Sequence, residues 1–217
     1  MWTAIDAYCE RTSAAYWAEP FNALTNLAFL VAALVMWRRS AGLPLAQAMC
    51  FVLGAIGVGS YLFHTHANGL TAALDVGPIL AFVLCYIFAA TKDLLGLGLR
   101  WAVVAVVAFF PFAALIVPLF SAAMPVLGSS AGYAPIPVLI LGYAAALWPR
   151  APAAARGMAI GAGLLIVSLT LRTLDEPLCT AMPVGTHFLW HLLNGLMLGW
   201  MIEVYRRHML AAAVPRR

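Results

Sequence analysis

The sequence predicts an all-α membrane protein: a bundle of seven transmembrane helices with its N-terminus outside the cytoplasm and its C-terminus inside. Three observations predict it. The 217-residue chain is 65% hydrophobic and only 9% charged, too little charge to cover a soluble domain of this size. The charges sit in short clusters between apolar runs long enough to cross a hydrocarbon core of roughly 30 Å. The basic residues also divide unevenly between the two sides that seven spans define. The net charge of +4 is spread over loop ends, so no nucleic-acid-binding face is expected.

Residues 1–19 read as an extramembrane segment. They carry Asp6, Glu10, Arg11 and Glu19 with no continuous apolar core, unlike a cleavable signal peptide. The first span covers about residues 21–37 and stops at Arg38-Arg39. The second, about 47–63, ends just before His64. A third runs over about 70–90 to Lys92-Asp93, and a fourth over about 99–120, where Pro111 and Pro118 are expected to kink it. The fifth, about 133–148, is short and opens on two prolines. The sixth and seventh cover about 158–174 and 186–205. No linker, low-complexity tract or charge block interrupts the chain, which predicts one domain over residues 1–217.

Orientation follows from charge. Arg38, Arg39, Lys92, Arg100, Arg150, Arg156, Arg206, Arg207, Arg216 and Arg217 fall on one side of seven spans, and only Arg11 and Arg172 on the other. The basic side is the cytoplasmic one. Cys50 and Cys85 lie within spans as small core residues, whereas Cys9 and Cys179 share the outer, oxidising side. A bridge between them would tie the N-terminus to the last loop; spacing alone leaves bridged and free thiols equally open.

Four of the five histidines flank two spans at their outer ends. His187 and His191, in THFLWHLLNG, are spaced i, i+4 and share one face of span seven. His64 ends span two in GVGSYLFHTH, and Asp75 opens span three eleven residues later. The topology brings all four to one depth, where ionisable groups are costly and mark function. Three imidazoles with an open fourth position form the usual catalytic zinc arrangement; such an ion activates water and polarises a carbonyl. Asp75 is the acid placed to take the water's proton. Ser60, one turn before His64, can donate to a developing oxyanion. Haem is a rival ligand, but i, i+4 histidines on one helix cannot clamp a haem from both faces. His66 reads as a loop residue and His208 as solvated. Gly57 and Gly59 are expected to allow close helix packing. Two other function classes remain open: a transporter or proton relay using the histidines, and a non-catalytic receptor stabilised by metal. Asp75 and Ser60 beside the ligands weigh against the last, because a closed structural site needs neither.

Several of these motifs together resemble the alkaline ceramidases, a family of seven-span hydrolases. The resemblance rests on Cys9-Glu10; Glu19-Pro-Phe-Asn22 with Asn26; Gly59-Ser60-Tyr-Leu-Phe-His64; Leu74-Asp75; and His187-Phe-Leu-Trp190-His191 with Cys179 upstream. The related progestin and adipoQ receptors share the Ser, His, Asp and HxxxH pattern but lack the N-terminal signature. The resemblance implies a zinc site on His64, His187 and His191, completed by Ser60 and Asp75, and a Cys9–Cys179 disulfide. It implies cleavage of ceramide-like membrane lipids to a long-chain base and a fatty acid, near the non-cytoplasmic face. It also implies a calcium site in the N-terminal segment on Glu10 and Glu19, with Asp6 nearby. Here the chain departs from the pattern: Ala7 stands where the family has an acid, and Thr12 where it has an asparagine.

Overall fold

Prolines and small polar residues punctuate the apolar runs, and the helices begin and end on them. A computed structural model describes residues 4–213. Helices α1 (Pro20–Thr25), α3 (Pro44–His66), α6 (Pro135–Leu147) and α7 (Pro152–Thr173) each open with proline in the first turn, where its missing N–H costs nothing. Helix α2 (Leu27–Arg39) continues α1 after a break at Asn26. Between α3 and α4 (Gly69–Ala89) the chain reverses through Ala67, at φ 38°. Asn68 then caps α4, accepting from the Leu70 and Thr71 amides at 3.0 and 3.1 Å. A π turn (Ala90–Leu94) extends α4. Helix α5 (Leu99–Ala123) runs through both Pro111 and Pro118 as one element. A 3-10 segment (Pro125–Tyr133), α8 (Asp175–Leu178) and α9 (His187–Ala212) complete the described residues, which contain no strand.

Five stretches are long and apolar enough to cross a membrane: Pro20–Arg39, Pro44–His66, Gly69–Leu94, Leu99–Ala123 and Pro152–Thr173. The fifth expected span is a bent pair, Pro125–Tyr133 and Pro135–Leu147 meeting at 60°, which gives a sixth if counted as one. Gly128, at φ 50°, breaks the regular helix ahead of it. The seventh expected span, α9, has 26 residues but carries Glu203, Arg206 and Arg207. Those charges are paired: Glu203 accepts from Arg39 at 2.9 Å, Arg206 at 2.7 Å and Arg207 at 2.7 Å.

The core is made by α2, α3, α4, α6, α7 and α9, with Met49, Leu53, Ile56, Leu147, Met158, Leu165, Met201 and Ile202 fully buried. Helix α5 stands to the outside, burying only Ala102 and Phe109. The two ends of the bundle differ. One gathers the Glu203 cluster and Asp93, which pairs with Lys92 and accepts from the Tyr205 hydroxyl at 2.6 Å. The other holds His187, roughly 24 Å from Glu203 along α9 by helical rise.

Close packing of α3 on α4 at Gly59, and on α2 at Gly57, depends on glycine, as expected. A Cβ at Gly59 would run into the Leu74 carbonyl and lie 3.3 Å from the Asp75 amide. One at Gly57 would meet Phe29 Cβ at 3.0 Å and the Asn26 carbonyl at 3.2 Å. Gly59→Ala should therefore push α4 away, with a loss of about 1–3 kcal/mol for overpacking. Thermal unfolding in detergent reads this out. Gly77→Ala, where nothing lies within 4 Å, is the control, and equal melting points for the two variants would remove Gly59's role.

Candidate metal centre

His64 projects from the last turns of α3, while His187 opens α9 and His191 follows one turn later. The i, i+4 spacing puts the latter two on the face of α9 that meets α3. One ring nitrogen from each residue lies within 4.8 Å of the others, and all three side chains are no more than 2% exposed. His64 Nε2, His191 Nε2 and His187 Nδ1 are buried with no hydrogen-bond partner. Three converging orphan nitrogens are costly unless something binds them, and a metal ion that takes imidazole ligands fits them.

Neighbouring groups aim the rings. Glu19 Oε2 accepts from His64 Nδ1 at 2.6 Å, which puts the proton on Nδ1 and leaves the Nε2 lone pair free. Its other oxygen pairs with Arg11, whose Nη2 donates to the His64 carbonyl at 2.9 Å. Arg11 and Glu19 thus hold both the ring and the backbone of His64. The Thr25 hydroxyl lies 2.7 Å from the Phe21 carbonyl and 3.0 Å from His191 Nδ1. A hydroxyl has one proton; donated to the carbonyl, it leaves the oxygen to accept from Nδ1–H and frees His191 Nε2.

The start of α9 is fixed by Asp175, a carboxylate only 1% exposed. Oδ1 accepts from the Thr186 and His187 amides at 2.6 and 2.8 Å, and Oδ2 from the Cys9 amide at 3.0 Å. A negative group at a helix N-terminus satisfies orphan donors and the macrodipole together. Gly185, at φ 69°, permits this approach: a Cβ there would strike Asp175 Oδ1 and lie 2.8 Å from Cys9 Cβ.

Cys9 and Cys179 form a disulfide, with Cα atoms 5.2 Å apart and a sequence separation of 170. Closing so long a loop constrains the unfolded chain by about 5 kcal/mol in the entropic picture. Reduction should lower the melting temperature before any metal is lost, since neither cysteine is a ligand. Metal content falling at unchanged melting temperature would contradict this. Cys50 and Cys85 are free.

Asp75, half-buried on α4, faces Ser60 and carries its charge toward His64. The glycine contact at Gly59 brings these residues of α3 and α4 together. The acids expected to hold calcium are engaged elsewhere. Glu10 accepts from the Phe21 and Asn22 amides at 2.6 and 2.8 Å; burial raises its carboxyl pKa, and those two bonds act the other way. Glu19 pairs with Arg11 and His64 and accepts from Asn22 Nδ2 at 3.1 Å. Asp6 is exposed. Among the described residues the three histidines form the one group of His, Cys, Asp or Glu placed to share an ion. Calcium is thus unsupported, and the Arg11 guanidinium supplies a positive charge next to Glu19.

Four contributors escape sequence reasoning. Arg11 reads there only as an outer-side charge. Asp175 is silent, although its place twelve residues before His187 is a helix-capping signal once the intervening turn is known. Thr25 gives no signal. Tyr8, stacked on His187 at 3.6 Å between centroids, is legible only as an aromatic beside Cys9.

A family model described as Ceramidase matches residues 2–213. No curated protein gives a significant match.

Proposed function

The chain belongs to the ceramidase family, and from that premise we propose that it is a zinc-dependent hydrolase cleaving ceramide-like membrane lipids to a long-chain base and a fatty acid. Family membership implies a hydrolase acting on amide bonds. The observation that carries the finer reading is the set of three orphaned imidazole nitrogens beside Asp75 and Ser60. When bound by those nitrogens, zinc supplies Lewis acidity, lowering the pKa of a coordinated water to about 7 and polarising a carbonyl.

The chain's own residues do the rest. Asp75 takes a proton from the attacking water, whose oxygen bonds to the amide carbon. The Ser60 hydroxyl donates to the developing oxyanion. Asp75 then returns the proton to the nitrogen as the C–N bond breaks, giving amine and carboxylic acid. A narrow apolar cavity lined by Ile56, Ile79, Phe82, Tyr133, Trp190 and Met197 reaches α9 at Trp190, the residue before His191. In this reading the chain makes seven spans, α9 and the bent pair included. The histidine end faces outward, away from the cluster of Arg39, Lys92, Arg206 and Arg207, and substrate enters from the outer leaflet.

Incubating purified protein with a panel of N-acylated lipids and identifying products by mass spectrometry tests the reading. Free fatty acid and long-chain base should appear with about one zinc per chain, stop after chelation and return with zinc. A zinc-loaded preparation that cleaves no amide in the panel would overturn it.

A further inference from the structure

Arg172 ends α7 next to the metal centre, and among the described residues no carboxylate lies within ion-pairing distance of it. Nη1 donates to Ser129 Oγ at 2.9 Å and Ser130 Oγ at 2.8 Å. Every ion pair among the described residues involves some other group. Three aromatic rings surround the guanidinium: Tyr133 at 5.3 Å, Trp190 at 5.9 Å and Tyr8 at 6.0 Å. Tyr8 is the ring stacked on His187, so Tyr8 contacts both the cation and a proposed metal ligand, and the field of Arg172 reaches Asp75.

This placement is expensive for a residue with no role beyond packing. A guanidinium at the edge of the membrane region calls for a counter-charge, and hydroxyls and ring faces supply only part of one. The neighbouring carboxylates do not pair with it: Glu19 pairs with Arg11, the Asp175 oxygens are occupied by backbone amides, and Asp75 feels its charge only at a distance, turned to Ser60. The serines and rings hold the fork still without neutralising it. A planar guanidinium presents paired N–H donors at the spacing of two oxygens on one carboxylate or phosphate.

We infer that Arg172 anchors an oxyanion carried by the lipid in the site, a carboxylate or phosphate bound beside the metal centre through the guanidinium fork. Two sources share that chemistry: the fatty-acid carboxylate released by cleavage, and an anionic group on the amine half of the substrate. Assignment between these sources rests on the hydrolase reading above; anion binding itself does not.

The test measures binding of palmitate, hexadecyl phosphate and hexadecanol to zinc-loaded protein in detergent. The two anions should bind wild type at least tenfold more tightly than the alcohol, and Arg172→Gln should lose that advantage. Equal preference in wild type and variant overturns the inference, as does no anion preference in wild type. Should Arg172→Gln fail to fold, Arg172→Lys keeps the charge but not the fork, and unchanged anion affinity in that variant counts equally against it. Turnover then separates the sources. An anionic-headgroup role predicts that Arg172→Gln lowers kcat/KM for N-palmitoylglycine relative to N-palmitoylsphingosine at least tenfold. A product role predicts an unchanged ratio with weaker inhibition by palmitate. If no amide is cleaved at all, the hydrolase reading fails while the binding result still decides the role of Arg172.

Discussion

Replacing His187 and His191 together with alanine should remove the bound zinc and with it all amide cleavage. The two rings supply two of three orphan nitrogens, and His64 alone gives an ion one protein bond, too few to hold it. The single variants should already bind weakly. Glu19→Gln offers a graded comparison, because it keeps all three ligands but removes the carboxylate that fixes the His64 tautomer and pairs with Arg11. Loss of such an outer-shell partner costs about 10–100-fold in metal affinity or activity. Metal analysis of purified protein, with the melting temperature as a check on folding, distinguishes these cases. Full zinc occupancy in the double variant would dismiss the three-histidine site. Retention in Glu19→Gln at wild-type affinity would dismiss only the orienting role given to the carboxylate.

Much of this site is legible in the sequence because its elements are local. HxxxH on one helix, and a serine one turn before a histidine, each fix a shared face by periodicity alone. Composition exposes the apolar helices for the same reason, since 18 or more apolar residues in a row have few other uses. The illegible parts depend on contacts far apart in sequence. Arg11 reaches the His64 carbonyl 53 positions away, and Asp175 receives the Cys9 amide across 166. No local pattern predicts either. Helix α9 shows a different limit. The sequence reading makes residues 186–205 a span, but α9 is not among the stretches apolar enough to cross a membrane, and only the fold reveals that Arg39, Arg206 and Arg207 converge on its buried Glu203. The calcium expectation finds no support, and Arg11 lies beside Glu19 and brings a covalently attached positive charge.

Asp75→Asn should abolish turnover while leaving zinc in place. The substitution is nearly isosteric, so the contact between Gly59 and the α4 backbone survives, and the new amide keeps the carboxylate's position beside Ser60. What it loses is the ability to accept and return a proton. General acid–base participation is worth about 10²–10⁴-fold, and here one carboxylate serves both the attack of water and the departure of the amine, so the upper end is expected. The loss should fall on kcat with KM little changed, because no contact to bound substrate is removed. Ser60→Ala should be milder, by about 10²–10³-fold for one oxyanion donor, and should also keep its zinc. The pair of variants separates proton transfer from metal holding. If Asp75→Asn loses zinc with its activity, the carboxylate is a ligand and the open coordination position must be sought elsewhere. If it retains zinc and near wild-type rates, Asp75 is not the base, and the other acids described next to the histidines are already committed: Glu19 to His64, Arg11 and Asn22, and Asp175 to the Thr186, His187 and Cys9 amides.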